Sequence, residues 1–249
     1  VVLTAEGRRF YEKANVILNG LEELEGEMKS PQGKLVSISA NPSSWFANCF
    51  SEFYRDHGQA DTEFRIWMDN TPNILHRVRE GRDETGFIGV FPDQLEQLHY
   101  DLKRYQLGFV CLRKMDAMLF FRSEWNLAGR AAGLPADTRK PRCVQMVNDP
   151  YIRYKGWRTE GERLALEPRV AVTTNSDYVI NLLLEKNHLA NISCETYLRY
   201  EPGKSPGIRL KHGEGKILYG VITRNGNPVS QLAREFIDFV RERINVTAN

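Results

Sequence analysis

The chain lacks every pattern that would place it in or across a membrane. No apolar run approaches the roughly 20 residues needed to cross a bilayer, and the amino terminus has no basic stretch followed by an apolar one. The four cysteines, Cys49, Cys111, Cys143 and Cys194, are widely spaced, with no Cys-x-x-Cys pair and no nearby pair of histidines. This spacing argues against a zinc site or a disulfide framework. We therefore expect a cytoplasmic protein with reduced thiols and no membrane partner.

Signatures of catalysis are also missing. The sequence contains no glycine-rich phosphate loop, no H-E-x-x-H and no G-x-S-x-G, and its five histidines are isolated from one another. No pair of acidic residues stands out as an acid and base. We expect a protein that is not an enzyme, with no catalytic residue, no metal site and no cofactor.

A strong excess of charge is absent as well. The chain has 34 basic and 32 acidic residues, a net charge of +2, so its surface has no strong electrostatic attraction for nucleic acid. Its 249 residues, 41% apolar and 27% charged, are typical of a soluble globular protein long enough to form two lobes.

What the sequence does have is a heptad pattern in its first thirty residues. Apolar residues recur there at alternating intervals of four and three, and the rest of the segment is rich in glutamate. This pattern predicts a helix, residues 1–30, that pairs with a second helix and ends at Ser30-Pro31-Gln32-Gly33. The alternative is the inner face of an ordinary long helix, and Gly20 and Gly26 weaken the segment as an isolated helix. We favour a dimerisation arm whose apolar seam is Phe10, Ala14, Ile17, Leu21, Leu24 and Met28.

After residue 33 the pattern becomes that of an α/β protein, in which strands alternate with helices and polar turns. We predict one lobe from residues 34–104 plus 213–249, with a parallel sheet, and a second lobe from residues 105–212. The predicted strands are 34–40, 63–68, 85–90, 107–112, 117–121, 142–147, 169–172, 189–193 and 217–223, and the predicted helices are 45–56, 73–80, 124–132, 177–186 and 230–243.

Polar clusters recur where a predicted strand ends and a helix begins. They lie at 41–44, 70–71, 148–149 and 174–176. In an open parallel sheet such strand ends border a crevice, and free N–H groups at helix starts favour small anions. The alternative for each cluster is ordinary helix capping. Four clusters in two lobes predict a cleft that holds a small ligand.

Four segments, in this order, resemble LysR-type transcriptional regulators. Leu3-Thr4-Ala5-Glu6-Gly7 is similar to the L-T-x-x-G that begins the family's linker helix, and Gly33–Ile38 is similar to its G-x-L-x-I-G strand, with Ser39 where glycine is usual. Val170–Ile192 and Ser230–Phe239 are similar to its late strand and helix and to its closing helix. The resemblance is to the effector-binding domain with its linker helix, without the amino-terminal helix-turn-helix domain.

The resemblance implies two Rossmann-like lobes of the periplasmic-binding-protein type, with an effector bound between them. It also implies a homodimer or homotetramer that contacts DNA only through the missing helix-turn-helix domain. The effector would be a small, often anionic molecule that changes the geometry of the oligomer and thereby transcription, with Arg122 or Arg153 as its counter-charge. The implied effector-binding residues are Asn41, Ser43, Ser44, Thr71, Arg122, Asn148, Tyr151, Thr174, Asn175 and Ser176.

Two other interpretations remain open. A solute-binding protein or a clamshell transferase has the same lobes without any role at DNA, and it predicts a monomer whose heptad seam has no partner. An enzyme with a site assembled from residues that the sequence does not pair is the third interpretation.

Overall fold

The structure is a computed structural model that describes part of the chain. The described residues are 4, 6, 7, 10, 11, 14, 34–58, 61–121, 141–146, 149–152, 158, 159, 167–187, 189–196, 207–211 and 216–245. The chain divides into two compact units, residues 1–35 with 59–63 and residues 36–58 with 64–249.

The first unit contains the predicted arm. Glu6, Gly7, Phe10, Tyr11 and Ala14 are helical, as the heptad pattern predicts, and Phe10 is 76% exposed. The other seam residues lie outside the described residues: Ile17, Leu21, Leu24 and Met28.

Strands and helices alternate through most of the chain after the arm. In chain order the strands are β1 Lys34–Ala40, β2 Thr62–Met68, β3 Thr85–Val90, β4 Leu107–Met115, β5 Ala117–Phe120, β6 Arg142–Met146, β7 Arg158–Thr159, β8 Arg169–Thr174, β9 Asn191–Cys194, β10 Ile208–Lys211 and β11 Ile217–Arg224. The helices are α1 Ser44–His57, α2 Thr71–Arg79, α3 Leu95–Tyr105, α4 Asp177–Lys186 and α5 Gln231–Asn245.

The first lobe is built on a five-stranded sheet with the order β2-β1-β3-β11-β4. β1 and β3 are parallel, whereas β11 is antiparallel to both β3 and β4. The sheet is therefore mixed, and not wholly parallel as predicted. β4 pairs with β11 from Leu107↔Arg224 to Met115↔Ile217. The chain accordingly leaves this sheet after Met115, and not near residue 104. The sequence did not predict this, because the residues of β11 that pair with β4 lie more than 100 positions further along the chain, and such pairing leaves no local signal.

Aromatic packing stabilises one face of this sheet, where α1 and α5 cover it. Phe46, Phe53, Phe87 and Phe236 are fully buried, and the Phe236 ring lies 5.0 Å from that of Phe53 and 5.6 Å from those of Phe46 and Phe87. These separations are those of favourable aromatic pairs. Apolar side chains of α2 and α3 form a second cluster with β3 and the start of β4.

The second lobe has smaller sheets. One has the order β7-β10-β5-β9, and a two-stranded parallel sheet joins β6 to β8. Ile180 and Leu184 of α4 pack against Phe120 and Val144 from these sheets. The predicted helix over 124–132 lies outside the described residues.

One helix, α3, is missing from the sequence prediction, as are the short strands β7 and β10. Leu98 and Leu102 of α3 are buried one turn apart, which is an amphipathic pattern, but no glycine or proline marks its end. The helix ends at Gln106, whose φ of 56° is left-handed, a conformation that glycine usually adopts at this position. Among the described residues, no helix is long and apolar enough to span a membrane.

Candidate functional site

A cavity of about 400 Å³ lies between the two lobes. First-lobe residues reach it from the carboxyl ends of β1, β2 and β3 and from the starts of α1 and α2. Second-lobe residues reach it from the ends of β6 and β8 and from β9, and β11 completes the wall. Strand carboxyl ends are where open α/β sheets bind ligands. The lining is Asn41, Pro42, Ser43, Ser44, Trp45, Met68, Asp69, Asn70, Asn73, Gly89, Phe91, Met146, Asp149, Ile152, Asn175, Asp177, Ile180, Asn191, Ile192, Ser193, Cys194, Thr196, Ile217 and Tyr219.

Local sequence explains why helices begin at this cavity. Ser43 accepts a hydrogen bond from Phe46 N at 3.2 Å and so caps α1, and Asn70 accepts one from Asn73 N at 3.0 Å and caps α2. Ser176 caps α4 in the same way. The capping interpretation therefore holds for each of these clusters, and it places polar residues at the cavity as well.

Asn41 ties three strand ends together on the first-lobe side. Its Nδ2 donates to the Asp69 carbonyl at 3.3 Å and to Thr71 Oγ1 at 3.2 Å. Its Oδ1 accepts a hydrogen bond from Gly89 N at 2.9 Å. All the polar atoms of one amide thus join β1, β2 and β3, and this wall of the cavity is fixed by the fold.

Asp177 of the second lobe binds the start of α1. Its Oδ2 accepts hydrogen bonds from Ser44 N, at 2.6 Å, and from the Ser44 hydroxyl. Asn181, one turn along α4, donates its Nδ2 to the same hydroxyl at 3.2 Å. A negative charge at a helix start is stabilised by the helix dipole, so this contact holds the lobes together.

Asp149 makes the equivalent contact at the start of α2. Its Oδ2 accepts a hydrogen bond from Thr71 N at 2.7 Å, and its Oδ1 accepts one from Tyr151 N at 2.9 Å. Each first-lobe helix that begins at the cavity is thus capped by a carboxylate of the second lobe.

Tyr151 anchors the second lobe in the core of the first. Its side chain is 3% exposed and packs among α2, α3 and β3, and its hydroxyl donates to Asp101 Oδ2 at 2.6 Å. Its carbonyl accepts a hydrogen bond from Phe91 N at 3.1 Å. Burial, more than the neighbouring Asp101, raises the pKa of the Tyr151 phenol well above its usual range.

The cavity is acidic. Its charged lining residues within the described ranges are Asp69, Asp149 and Asp177, with no lysine, arginine or histidine. Burial raises the pKa of both Asp149 and Asp177, and the hydrogen bonds from Thr71 and Ser44 lower it by less. Within the described part of the chain, no three histidine, cysteine or acidic residues are grouped as metal ligands.

The structure separates the predicted site residues into three groups. Asn41, Ser43, Ser44 and Asn175 line the cavity. Thr71, Tyr151, Thr174 and Ser176 do not: the first two are buried in contacts between the lobes, and the last two make local hydrogen bonds at the start of α4. Arg122, Asn148 and Arg153 lie outside the described residues.

Several lining residues escaped the sequence analysis. Asp69 and Asp177 directly flank the predicted polar clusters, so widening each cluster by one residue would have found them. Tyr219 and Asn191 come from strands that carried no polar cluster, and only the fold brings them to the cavity.

Comparison with known proteins gives the fold. No family model and no curated protein matches the chain. HinK, a LysR-family transcriptional regulator from Pseudomonas aeruginosa, is similar with a TM-score of 0.57 and 16% identity over 97% of this chain and 81% of HinK. Full-length CbnR in complex with its target DNA is similar with a TM-score of 0.56 and 16% identity over 97% of this chain and 82% of CbnR. The C-terminal domain of a probable LysR-family regulator from Rhodococcus sp. RHA1 is similar with a TM-score of 0.54 and 15% identity over 84% of this chain and 98% of that domain.

The chain has the fold of LysR-family regulators. The predicted fold, two α/β lobes of the periplasmic-binding-protein type, is therefore confirmed. In this LysR-type fold the cavity lies at the crevice between the lobes, bordered by residues of both.

Proposed function

We propose that the chain is the ligand-sensing part of a LysR-type transcriptional regulator, and that it binds a small molecule in the cavity between its lobes. The observation that carries this proposal is the cavity itself: about 400 Å³, formed by residues of both lobes at their strand ends. A volume of that size suits a metabolite.

Ligand binding acts, in this proposal, on the contacts that join the lobes. Ser44 and Asp177 both line the cavity and bond to each other across it, and Asp149 lines it while bonding to Thr71. A ligand that prefers one arrangement of these groups shifts the lobes toward that arrangement. About 1–3 kcal/mol of such differential affinity is enough for an allosteric response.

The arm carries this response to a second subunit. We propose that the seam from Phe10 to Met28 pairs two copies, in a homodimer or homotetramer, in the cytoplasm. DNA binding belongs to a helix-turn-helix domain amino-terminal to Leu3, so residues 1–249 alone should bind a specific operator weakly or not at all.

A panel of small metabolites that includes cationic, neutral and anionic compounds in equal numbers tests the proposal that the chain senses a ligand. We expect some compounds to raise the melting temperature of this chain saturably, because a ligand that binds only the folded state stabilises it. The same compounds should change the DNA affinity of the protein joined to its DNA-binding domain. A panel that leaves both quantities unchanged contradicts the proposal.

A charge on the seam tests the role of the arm. We expect Phe10→Glu to raise the dimer dissociation constant by about tenfold or more, because it puts a carboxylate into an apolar contact. Tyr11→Glu is the matched control, since Tyr11 is the next residue, is 58% exposed and lies outside the seam. Analytical ultracentrifugation measures both, and a concentration-independent monomer for the unmodified chain contradicts the proposed pairing.

A further inference from the structure

The chemistry of the cavity wall restricts the ligand more narrowly than the fold does. This inference rests on the proposed function, because it concerns the ligand of the same cavity. It combines three features: the donors at the helix starts, the charged side chains and the aromatic side chains.

The donors that an anionic ligand would use are already bound. At the start of α2, Thr71 N donates to Asp149, Pro72 has no N–H, Asn73 N donates to Asn70 Oδ1 and Ile74 N donates to the Asn70 carbonyl. No N–H group remains there for a ligand.

The start of α1 is nearly as complete. Ser44 N donates to Asp177, Phe46 N to Ser43 Oγ and Ala47 N to the Ser43 carbonyl. The protein's own carboxylates thus stand where a carboxylate or phosphate ligand would find the positive ends of these helices.

The charged side chains that line the cavity also disfavour an anionic ligand. Asp69, Asp149 and Asp177 meet no lysine, arginine or histidine among the described lining residues. Asp69 accepts two hydrogen bonds on Oδ1, from Asn70 N and Asn73 Nδ2, and its Oδ2 accepts none from the described residues. Asp177 likewise accepts the two hydrogen bonds from Ser44 on Oδ2, and its Oδ1 accepts none from the described residues. Carboxylate oxygens in such surroundings attract a cation and repel an anion.

Aromatic rings complete the wall. Trp45, Phe91 and Tyr219 line the cavity, and the rings of Trp45 and Tyr219 meet edge to face with centroids 5.9 Å apart. Aromatic faces pack against apolar bodies and attract cations through their quadrupoles.

We propose that the cavity selects a small molecule that carries a protonated amine on an apolar or aromatic body, and that it discriminates against carboxylates and phosphates. The amine pairs with Asp69 Oδ2 and Asp177 Oδ1, and the body packs against Trp45, Phe91 and Tyr219. This ligand class is opposite in charge to the anionic effector that the sequence resemblance implied.

Three probes of one shape test the inference: 2-phenylethylamine, 2-phenylethanol and 3-phenylpropionate, which differ mainly in charge. Isothermal titration of each into this chain gives three dissociation constants. We expect the amine to bind at least about tenfold more tightly than the carboxylate, with the alcohol between them. Tighter binding of the carboxylate, or equal binding of the amine and the alcohol, overturns the inference and leaves the proposed function intact.

The substitution Asp69→Asn tests whether the preference for an amine arises from the charge of the cavity. The Asn oxygen can still accept from Asn70 N and Asn73 Nδ2, so the strand end keeps its shape while the charge is lost. We expect the variant to bind the amine about threefold to tenfold more weakly and the alcohol unchanged within about twofold. Asp238→Asn on the exposed face of α5 is the control and should change neither. Equal losses for amine and alcohol in Asp69→Asn overturn the charge argument. Saturable binding of none of the three probes overturns the inferred ligand class, whereas the metabolite panel tests the proposed function separately.

Discussion

The two lobes differ in both construction and chemistry. The first has a five-stranded sheet with helices on both faces and a core of fully buried phenylalanines, whereas the second has two smaller sheets packed with α4. At the cavity the first lobe supplies helix starts, and the second supplies the carboxylates that cap them. The difference indicates a fixed frame and a second part joined to it by apolar packing, of Tyr151 among others, and by polar contacts at the cavity. The polar contacts are the ones that a polar ligand can rearrange.

Removing the central ring of the frame should have the largest effect. We expect Phe236→Ala to lower the free energy of unfolding by about 3–5 kcal/mol, because it leaves a cavity among Phe46, Phe53 and Phe87. Urea denaturation measures the change. Tyr100→Ala, at a ring that is 64% exposed, is the control and should cost within about 0.5 kcal/mol. Similar losses of unfolding free energy in Phe236→Ala and Tyr100→Ala would contradict the interpretation of the first lobe as a fixed frame.

Breaking one polar contact between the lobes should have an intermediate effect. We expect Asp177→Ala to lower the free energy of unfolding by about 1.5–3 kcal/mol, because Ser44 N and the Ser44 hydroxyl lose a charged acceptor. The Ser44 amide should also exchange its hydrogen faster. Asp238→Ala, on the exposed face of α5, serves as the control. Unchanged exchange at Ser44 would show that Asp177 does not hold the lobes.

Removing the Tyr151 hydroxyl should have a smaller effect. Asp101 Oδ2 also accepts a hydrogen bond from Gln97 Nε2 at 2.7 Å, so Tyr151→Phe leaves no acceptor unpaired while the ring stays in the core. We expect a loss of about 0.5–1.5 kcal/mol in urea denaturation. A loss as large as that of Phe236→Ala would mean that the hydroxyl, and not the ring, anchors the second lobe.

The smallest effect concerns pH. Burial raises the pKa of the Asp177 carboxyl in the folded protein above its ordinary 3.8, so the folded state keeps a proton that the unfolded chain has released. The resulting stabilisation is complete below the unfolded pKa and is lost as the pH rises through the folded one. Relative to Asp177→Asn, the unmodified chain should therefore lose stability as the pH rises above 3.8 and through the raised pKa that Asp177 has in the folded protein. Denaturation at a series of pH values tests this, and a difference that grows in the opposite direction contradicts it.

Local patterns predicted most of the elements in both lobes. The bounds of β3 and α4 agree to the residue, because each has a clear apolar pattern between polar or glycine-containing turns. α3 was missed because it ends at a left-handed Gln106 and not at a glycine. The sheet that contains β4 depends on a partner strand far along the chain, which no local pattern encodes.

The difference between local patterns and contacts distant in sequence also explains which residues of the candidate site were predicted. Asn41, Ser43, Ser44 and Asn175 were found because polar residues between a strand and a helix are visible in sequence. The bond between Ser44 and Asp177 joins residues 133 positions apart, so neither its existence nor the resulting charge of the cavity was predictable. Pairing across the cleft is a property of the folded lobes alone.

The most direct test of the cavity as the ligand site is to fill it. A Cβ at Gly89 would meet nothing closer than Ile217 Cγ2 at 3.8 Å, and both residues line the cavity, so Gly89→Leu adds its side chain without a clash at Cβ. Val110→Leu, at an exposed position of β4, places the same side chain outside the cavity and is the control. In titrations with 2-phenylethylamine and with any compound that stabilises the unmodified chain, we predict that Gly89→Leu abolishes the rise in melting temperature and Val110→Leu preserves it. An undiminished rise in Gly89→Leu would contradict the account.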